Sequence, residues 1–133
     1  METKFRVWCE FEVKGEMVSC MESAASWFLL TQTGQLMEYG PMRPPHKLSG
    51  AYKKCIPLFF TGLFDKNGKE IYEGDVVKLE GMDRCFIVKY NYAGFEAVDK
   101  ENRLGLGEWY ADKRIEVIGN IYENPELLEG VSK

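Results

Sequence analysis

The hydrophobic pattern near the start of the chain alternates with a period of two. Between residues 4 and 14, apolar side chains fill every second position and charged ones most of the positions between them. This alternation is typical of a strand with one buried face. Trp8 falls on the polar face, where it could pack inside the chain or against a partner subunit; packing inside the chain is favoured because large aromatics bury area. Residues 14–16 then predict a turn into a second strand.

A second hairpin is predicted further along. Residues 27–30 and 36–39 are apolar runs on either side of a polar segment that ends in Gly34. Pro41, Pro44 and Pro45 follow, and proline removes a backbone donor from a sheet. We therefore expect a long loop from residue 40 to residue 55.

The second half of the chain predicts more short strands. Residues 76–79, 85–90, 95–98 and 115–118 are β-branched or aromatic runs separated by glycine-containing segments. Such spacing is typical of a closed or sandwiched all-β unit, and an SH3-like small barrel is the preferred form. Residues 65–68 predict a chain reversal, and a second turn follows at 73–75, where Asp75 is expected to accept backbone hydrogen bonds.

A short helix is predicted near the end. Asn124 can cap it, Pro125 suits its first position, and Glu126 favours the positive end of its dipole. The fold class is therefore mainly β, a β-rich α+β protein. We expect an N-terminal β-hairpin lobe over residues 1–60 and a barrel lobe with the helix over 61–133, as two lobes or one compact unit.

Charge divides the chain unevenly. Residues 1–60 carry 7 basic and 6 acidic side chains and the rest 10 basic and 15 acidic, which gives +1 and −5 and a net charge of −4. An acidic protein is a poor candidate for general DNA coating. No apolar run approaches the roughly 20 residues that cross a bilayer, and no signal peptide is apparent. We expect a cytoplasmic protein without membrane contact.

One basic segment, residues 43–54, stands out from this acidic composition. It lacks acidic residues, its lysines and arginine could neutralise phosphates, and two aromatic side chains could stack on bases. The alternative is a solvated loop, or one that meets the acidic half of the same protein. The candidate binding residues are Arg43, Lys47, Tyr52, Lys53, Lys54 and, further along, Trp109.

Cysteine spacing gives no sign of a metal centre. Cys9, Cys20, Cys55 and Cys85 are widely separated, no Cys-x-x-Cys pair occurs, and His46 is the single histidine. A disulfide framework is not expected in a reducing cytosol. We expect four buried or half-buried thiols, no cofactor, and folding without metal or disulfide.

Catalytic motifs are absent from the sequence. Asp65, Glu70, Glu73 and Asp75 could in principle form an acid–base pair or hold a cation. A structural role in turns and at strand edges is favoured, and no nucleophile elbow or phosphate-binding glycine loop is present. We expect a protein that is not an enzyme; a small hydrolase is a marginal alternative.

Two segments resemble the signature of the YopX-like proteins of phages and prophages. They are residues 60–77, FTGLFDKNGKEIYEGDVV, and residues 115–128, IEVIGNIYENPELL. The resemblance implies a phage or prophage accessory protein in the cytosol of a bacterial host, with no known catalysis. The motif positions to which we assign structural roles are Gly62, Asp65, Asn67, Gly68, Gly74, Asp75, Gly119, Asn124 and Pro125.

Two functions are carried forward. The first is a non-enzymatic adaptor that binds an unknown phage or host protein, through a groove or a free sheet edge. The second is a nucleic-acid-binding protein that uses the basic segment. Association into a homo-oligomer is also expected, because Trp8 lies on a polar strand face and the basic segment and the acidic second half of the chain carry opposite charge.

Overall fold

The computed structural model describes residues 4–23, 28–31, 35–40, 43–48, 52–91, 94–106 and 114–130. Within them the protein is mainly β, as predicted, and it divides into two compact units, Met1–Phe59 and Phe60–Lys133. The strands are β1 (Phe5–Val13), β2 (Glu16–Ser23), β3 (Phe28–Leu30), β4 (Leu36–Gly40), β5 (Arg43–Lys47), β6 (Tyr52–Phe64), β7 (Glu70–Tyr72), β8 (Asp75–Leu79), β9 (Cys85–Asn91), β10 (Gly94–Val98), β11 (Arg103–Gly105) and β12 (Ile115–Asn120).

The first unit is built around β1, which pairs antiparallel with β2 on one side and with β6 on the other. The β1–β2 turn has two central residues, Lys14 and Gly15, with φ of 51° and 83°. Positive φ at both positions is the geometry of a type I′ turn, whose twist matches that of the flanking strands. The predicted first strand, turn and second strand are confirmed.

The second predicted hairpin is also present, since Phe28, Leu29 and Leu30 pair with Glu38, Met37 and Leu36. Its turn, residues 32–34, lies outside the described residues. The predicted long loop from residue 40 to residue 55 is wrong. Residues 43–47 form β5, and β6 begins at Tyr52. Two prolines fit β5 because it lies at the edge of the β3-β4-β5 sheet, where one side of the strand needs no donor.

Apolar side chains from both sheets form the core of the first unit. Val7 and Cys9 are fully buried and Phe28 is 3% exposed, with partly buried neighbours packed around them, among them Phe11, Leu36 and Tyr52. Trp8 is only 6% exposed although its neighbours on that face are charged. Its indole nitrogen donates to Glu10 Oε2 at 2.9 Å. Packing inside the chain, the favoured interpretation of Trp8, therefore agrees with the structure.

The second unit contains a five-stranded antiparallel sheet in the order β11-β10-β9-β8-β12. The last residues of β6 pair with β7 in the same unit. Its core includes the fully buried Phe86, Val77 and Ile115. The four strands predicted in this half are present, and β11 lies within one of the glycine-containing segments that separate them. Closure of these strands into an SH3-like barrel stays a prediction.

The predicted helix after Asn124 is present but has 3-10 geometry, over Pro125–Gly130. The capping differs from the expectation. The Asn124 backbone carbonyl accepts the amide of Leu127 at 3.0 Å, whereas its side-chain oxygen accepts the amide of Asn120 at 3.1 Å. The side chain therefore ties the segment back to the end of β12 instead of capping the helix.

Candidate binding site

Asp65 is a buried hydrogen-bond acceptor between the two signature segments. Its Oδ1 accepts the amides of Asn67 and Lys69, both at 2.9 Å, and its Oδ2 accepts the amide of Val117 at 2.9 Å. Burial alone would raise the pKa of this carboxyl, but the hydrogen bonds from Val117, Lys69 and Asn67 outweigh it and lower the pKa below the ordinary 3.8. Asp65 is therefore a structural carboxylate, held ionised.

Asp75 has a similar role at the second turn. Its Oδ2 accepts the amide of Tyr72 at 2.7 Å, and the residue is 1% exposed. Gly74, with φ of 89°, donates its amide to Val88 and accepts that of Ile121. A residue with a β-carbon would be strained at this φ, so glycine fixes the turn. The prediction that Asp75 accepts a backbone hydrogen bond is confirmed.

In the second signature segment, residues 115–128, the Asn120 side chain closes a turn. Asn120 Oδ1 accepts the amides of Tyr122 at 3.0 Å and Glu123 at 2.8 Å. A β-carbon on Gly119 would lie 2.5 Å from Asn124 Oδ1, so a close approach and not a positive φ requires glycine there. The role of Asn120 was not predicted from the sequence. The available signal was the residue type, because an asparagine side chain often accepts the backbone amide two residues further on and so closes a turn.

The remaining motif positions are backbone features. Gly62 and Gly68 have positive φ, Asn67 takes part through its amide, and Pro125 begins the 3-10 helix. The acidic side chains of the first signature segment, residues 60–77, likewise have interaction partners. Glu70 Oε1, for example, accepts the Tyr72 hydroxyl at 3.0 Å. This arrangement supports structural roles for these acids.

The basic segment does not form one loop. Arg43 and Lys47 belong to β5, and Tyr52, Lys53 and Lys54 to β6. Lys53 and Lys54 are exposed, as is Lys47. Lys54 lies directly opposite Glu10 on β1, and Lys53 falls at the register shift next to that pair. An acid thus stands beside one of the four cations, which agrees with the self-complementary interpretation of this segment.

Tyr52 belongs to the core of the first unit. Its ring centroid lies 5.9 Å from that of Phe11 and 6.0 Å from that of Phe28. Burial, with a smaller contribution from Glu38, raises its pKa to about 12. These contacts favour a packing role over base stacking. Trp109, the other proposed stacking residue, lies outside the described residues.

Among the described residues of the first unit, the β1–β2 hairpin tip, residues 12–19, carries the most exposed large apolar side chains. Every residue from 12 to 19 is exposed. The large apolar members Val13, Met17 and Val18 are 44%, 57% and 40% exposed. The described β1–β6 pairing ends at Phe11, so beyond it the hairpin tip is paired as two strands. Sequence reasoning placed this hairpin but not its exposure, because exposure depends on where β6 joins.

The edge of this hairpin is formed by β2, which among the described residues pairs with β1 alone. An edge strand presents backbone donors and acceptors that another chain can pair with. Between residues 10 and 22 the hairpin is also acidic, since Glu10, Glu12, Glu16 and Glu22 accompany the single cation Lys14. The surface thus combines an edge strand, apolar side chains and negative charge.

A shallow hollow of about 360 Å³ lies on the described surface of the second unit. Lys66 and Glu116 face each other across it at 3.8 Å, and Arg114 and Glu80 do so at the same distance. Exposed ion pairs of this length contribute little to stability.

Within the described ranges no group of three His, Cys, Asp or Glu side chains could hold a metal ion, and no helix is long and apolar enough to span a membrane.

Comparison with known proteins decides the family. The model of the YopX protein family matches residues 4–129. The chain belongs to the YopX family. The resemblance of the two signature segments is thereby confirmed, and the match extends to nearly the whole chain.

Two similar proteins add detail. The SPbeta prophage-derived uncharacterized protein YopX of Bacillus subtilis strain 168 is 37% identical over 73 residues, which are 48% of this chain and 54% of that protein. The alignment thus spans about half the length of that relative. The crystal structure of protein EF1440 from Enterococcus faecalis is similar with a TM-score of 0.55 and 25% identity, over 96% of this chain and 99% of that one. The chain is therefore similar to a prophage-derived protein and shares its fold with a bacterial protein of known structure.

Proposed function

We propose that this YopX-family protein is a non-enzymatic adaptor that binds a partner protein through the β1–β2 hairpin tip and the edge of β2. The partner segment is extended, and it carries basic and apolar side chains. The proposal places the protein in the cytoplasm of a bacterial host, as a phage or prophage accessory protein.

The observation that carries this proposal is the exposure of Val13, Met17 and Val18 at 40% or more on a hairpin with a sheet edge. An added strand gains affinity from main-chain hydrogen bonds and specificity from the alternating side chains that it meets. Apolar side chains on the hairpin supply contact area that solvated charges would not. Burying them on binding is favourable at roughly 25 cal/mol per Å².

Charge defines the chemistry of the partner. The segment from residue 10 to residue 22 has four glutamates and one lysine, a net charge of −3. A basic segment is attracted to this surface and an acidic one is repelled, which sets specificity and association rate. Hence a partner strand with lysine or arginine between apolar residues fits best.

The test compares the protein with a triple variant, Val13→Ser, Met17→Ser and Val18→Ser. Met82→Ser, at a 37% exposed position of the second unit, is the matched control. Proteins captured from host cells that carry the prophage are identified by quantitative mass spectrometry, and each hit is purified and titrated directly. The proposal expects a purified partner whose affinity falls at least about tenfold in the triple variant and is unchanged in Met82→Ser. Equal affinity for all three proteins would overturn it.

Nucleic-acid binding is the second candidate function. It is supported by the exposure of Lys47, Lys53 and Lys54 in a segment without acidic residues. The position of Lys54 opposite Glu10 and the packing of Tyr52 weigh against it. Nuclease treatment of the same captures separates the two candidates, since a partner held through RNA or DNA is lost on digestion.

Self-association is proposed through the same edge, with two copies of β2 pairing. Burial of Trp8 removes one reason for expecting an oligomer, whereas the exposed edge supplies another. Light scattering over a range of concentration and salt should show a dimer that the triple variant weakens. A monomeric mass throughout would contradict it.

A further inference from the structure

Three of the four cysteines lie side by side in the first unit. Cys9 on β1 stands directly opposite Cys20 on β2 and directly opposite Cys55 on β6. Residues directly opposite each other in antiparallel strands share a face of the sheet. All three side chains contribute to the same apolar cluster, and all are thiols rather than disulfides. Sequence spacing gave no sign of this row, because Cys9 and Cys55 are 46 residues apart.

The Cys55 thiol is oriented toward Cys9, whose own thiol donates toward the Val7 carbonyl oxygen at 4.0 Å. The Cys55 Sγ donates toward the Cys9 Sγ at 4.0 Å. The Cys20 thiol instead donates to Glu22 Oε1 at 3.2 Å. Directly opposite strand residues have Cα atoms about 4.5 or 5.5 Å apart, and disulfides span about 4.4 to 6.8 Å between Cα atoms. Side-chain rotation is therefore enough to bring the two sulfurs to bonding distance.

We propose that Cys9 and Cys55 are a modification site at which a peroxide forms a reversible cross-strand disulfide between β1 and β6. Cys55, half-buried, reacts first with hydrogen peroxide. Its thiolate attacks one peroxide oxygen, the O–O bond breaks, and the products are Cys55 sulfenic acid and hydroxide. The fully buried Cys9 then attacks the Cys55 sulfur as its proton leaves, and water departs. Two thiols are oxidised by two electrons, and one peroxide is reduced to two waters.

The environment of the pair sets the pace of this reaction. Burial raises the pKa of both thiols, and for Cys9 the neighbouring Cys55 raises it further. The reacting thiolate is scarce at neutral pH, so oxidation is slow there and faster as pH rises toward 9. The product closes a loop within the first unit and constrains its unfolded state, which is the usual way in which a disulfide stabilises a fold. A dithiol reductant reverses it.

The disulfide can be identified by tryptic digestion, because trypsin places the four cysteines on separate peptides. Cleavage after lysine and arginine, except before proline, gives residues 7–14 with Cys9, 15–47 with Cys20, 55–66 with Cys55 and 85–89 with Cys85. The purified, reduced protein is treated with hydrogen peroxide, remaining thiols are alkylated, and the digest is analysed by mass spectrometry without reduction. The expected product is peptide 7–14 linked to peptide 55–66, lost again after dithiothreitol.

Matched variants isolate the pair. Cys20→Ser, from the same row, and Cys85→Ser, from the second unit, should both form the link, and Cys55→Ser should not. Oxidation should also raise the Tm of the first unit by at least about 5 °C in the wild type, and not in Cys55→Ser. A main product that joins 7–14 to 15–47, only intermolecular disulfides, or four thiols that remain alkylatable would each overturn the proposal.

Discussion

The carboxylate of Asp65 accepts a hydrogen bond from the amide of Val117 at 2.9 Å, across 52 residues of sequence. This bond joins the two segments that carry the family signature. A second one runs beside it, since the amide of Lys66 donates to the carbonyl of Ile115 at 2.8 Å. Pairing of β8 with β12 sets Asp75 opposite Asn120 in the same region. The signature thus describes how the second unit is held together.

Asp65→Ala should strongly destabilise the second unit. The change leaves three backbone amides without their acceptor, and a buried donor left unsatisfied costs about 1 to 3 kcal/mol. We expect a loss of at least about 3 kcal/mol in the free energy of unfolding, measured by urea denaturation. Asp83→Ala, at an exposed position of the same unit, should change it by less than about 0.5 kcal/mol. A similar small change in both variants would contradict the role given to Asp65.

Stability should fall in acid through Asp99. Burial acts to raise its pKa, but the amides of Glu101 and Asn102 and the guanidinium of Arg84 at 3.0 Å lower it from 3.8 to about 2. A carboxyl whose folded pKa lies below its unfolded pKa binds more protons when unfolded. Its contribution is therefore complete above the unfolded value and is lost as pH falls toward the folded one.

The measurement is the urea midpoint from about pH 6 to about pH 2. The wild type should lose stability steeply below about pH 4.5, and Asp99→Asn should give a less stable protein with a shallower slope. Asp83→Asn, which removes an exposed carboxyl, should leave the slope as it is. Parallel curves for the wild type and Asp99→Asn would show that Asp99 does not carry the acid sensitivity.

How far the sequence predicts this fold depends on whether the deciding interaction is local. The β1–β2 turn needs only a residue that tolerates positive φ followed by glycine, and Lys14-Gly15 supplies it. The two prolines of β5 led to the incorrect prediction of a loop. The cost of a proline in a strand depends on whether the strand is central or at an edge, which is a property of the tertiary structure. The short β11 has too few residues to show a period.

The candidate sites also divide into features that are local in sequence and features that depend on tertiary structure. Basic residues are visible in the sequence, but the strand pairing that sets Lys54 opposite Glu10 is not. Likewise, the thiols of Cys9 and Cys55 meet only through the register of β1 and β6. Chemistry that depends on register needed the structure, whereas turns and alternation did not.

Gly119→Ala should be destabilising, mainly through Asn124. The added β-carbon would lie 2.5 Å from Asn124 Oδ1 and 2.9 Å from Leu127 Cδ1, and it would push the asparagine away from the Asn120 amide. Overpacking of this kind costs about 1 to 3 kcal/mol. In a double-mutant cycle with Asn124→Ala, the combined loss should be smaller than the sum by at least about 0.5 kcal/mol. Simple additivity would show that the crowding lies elsewhere.

The last prediction separates the two candidate functions through Lys53 and Lys54. If the protein is an adaptor, its binding to oligonucleotides at physiological salt is negligible, because an acidic molecule repels a polyanion outside one short segment. Replacing both lysines with glutamate should then leave partner capture unchanged.

If phosphate contact is the role of these lysines, the wild type binds with micromolar or tighter affinity, and that affinity falls steeply as salt rises because each neutralised phosphate releases a counterion. Lys53→Glu with Lys54→Glu would then abolish binding, whereas Lys100→Glu, at an exposed position in the second unit, would reduce it only slightly. Fluorescence anisotropy with single-stranded and duplex DNA and RNA of random sequence, from about 50 to 200 mM salt, measures both quantities. The opposition of Lys54 and Glu10 favours the adaptor outcome. A salt-sensitive complex that the lysine variant abolishes would reverse that conclusion and make the basic segment the functional surface.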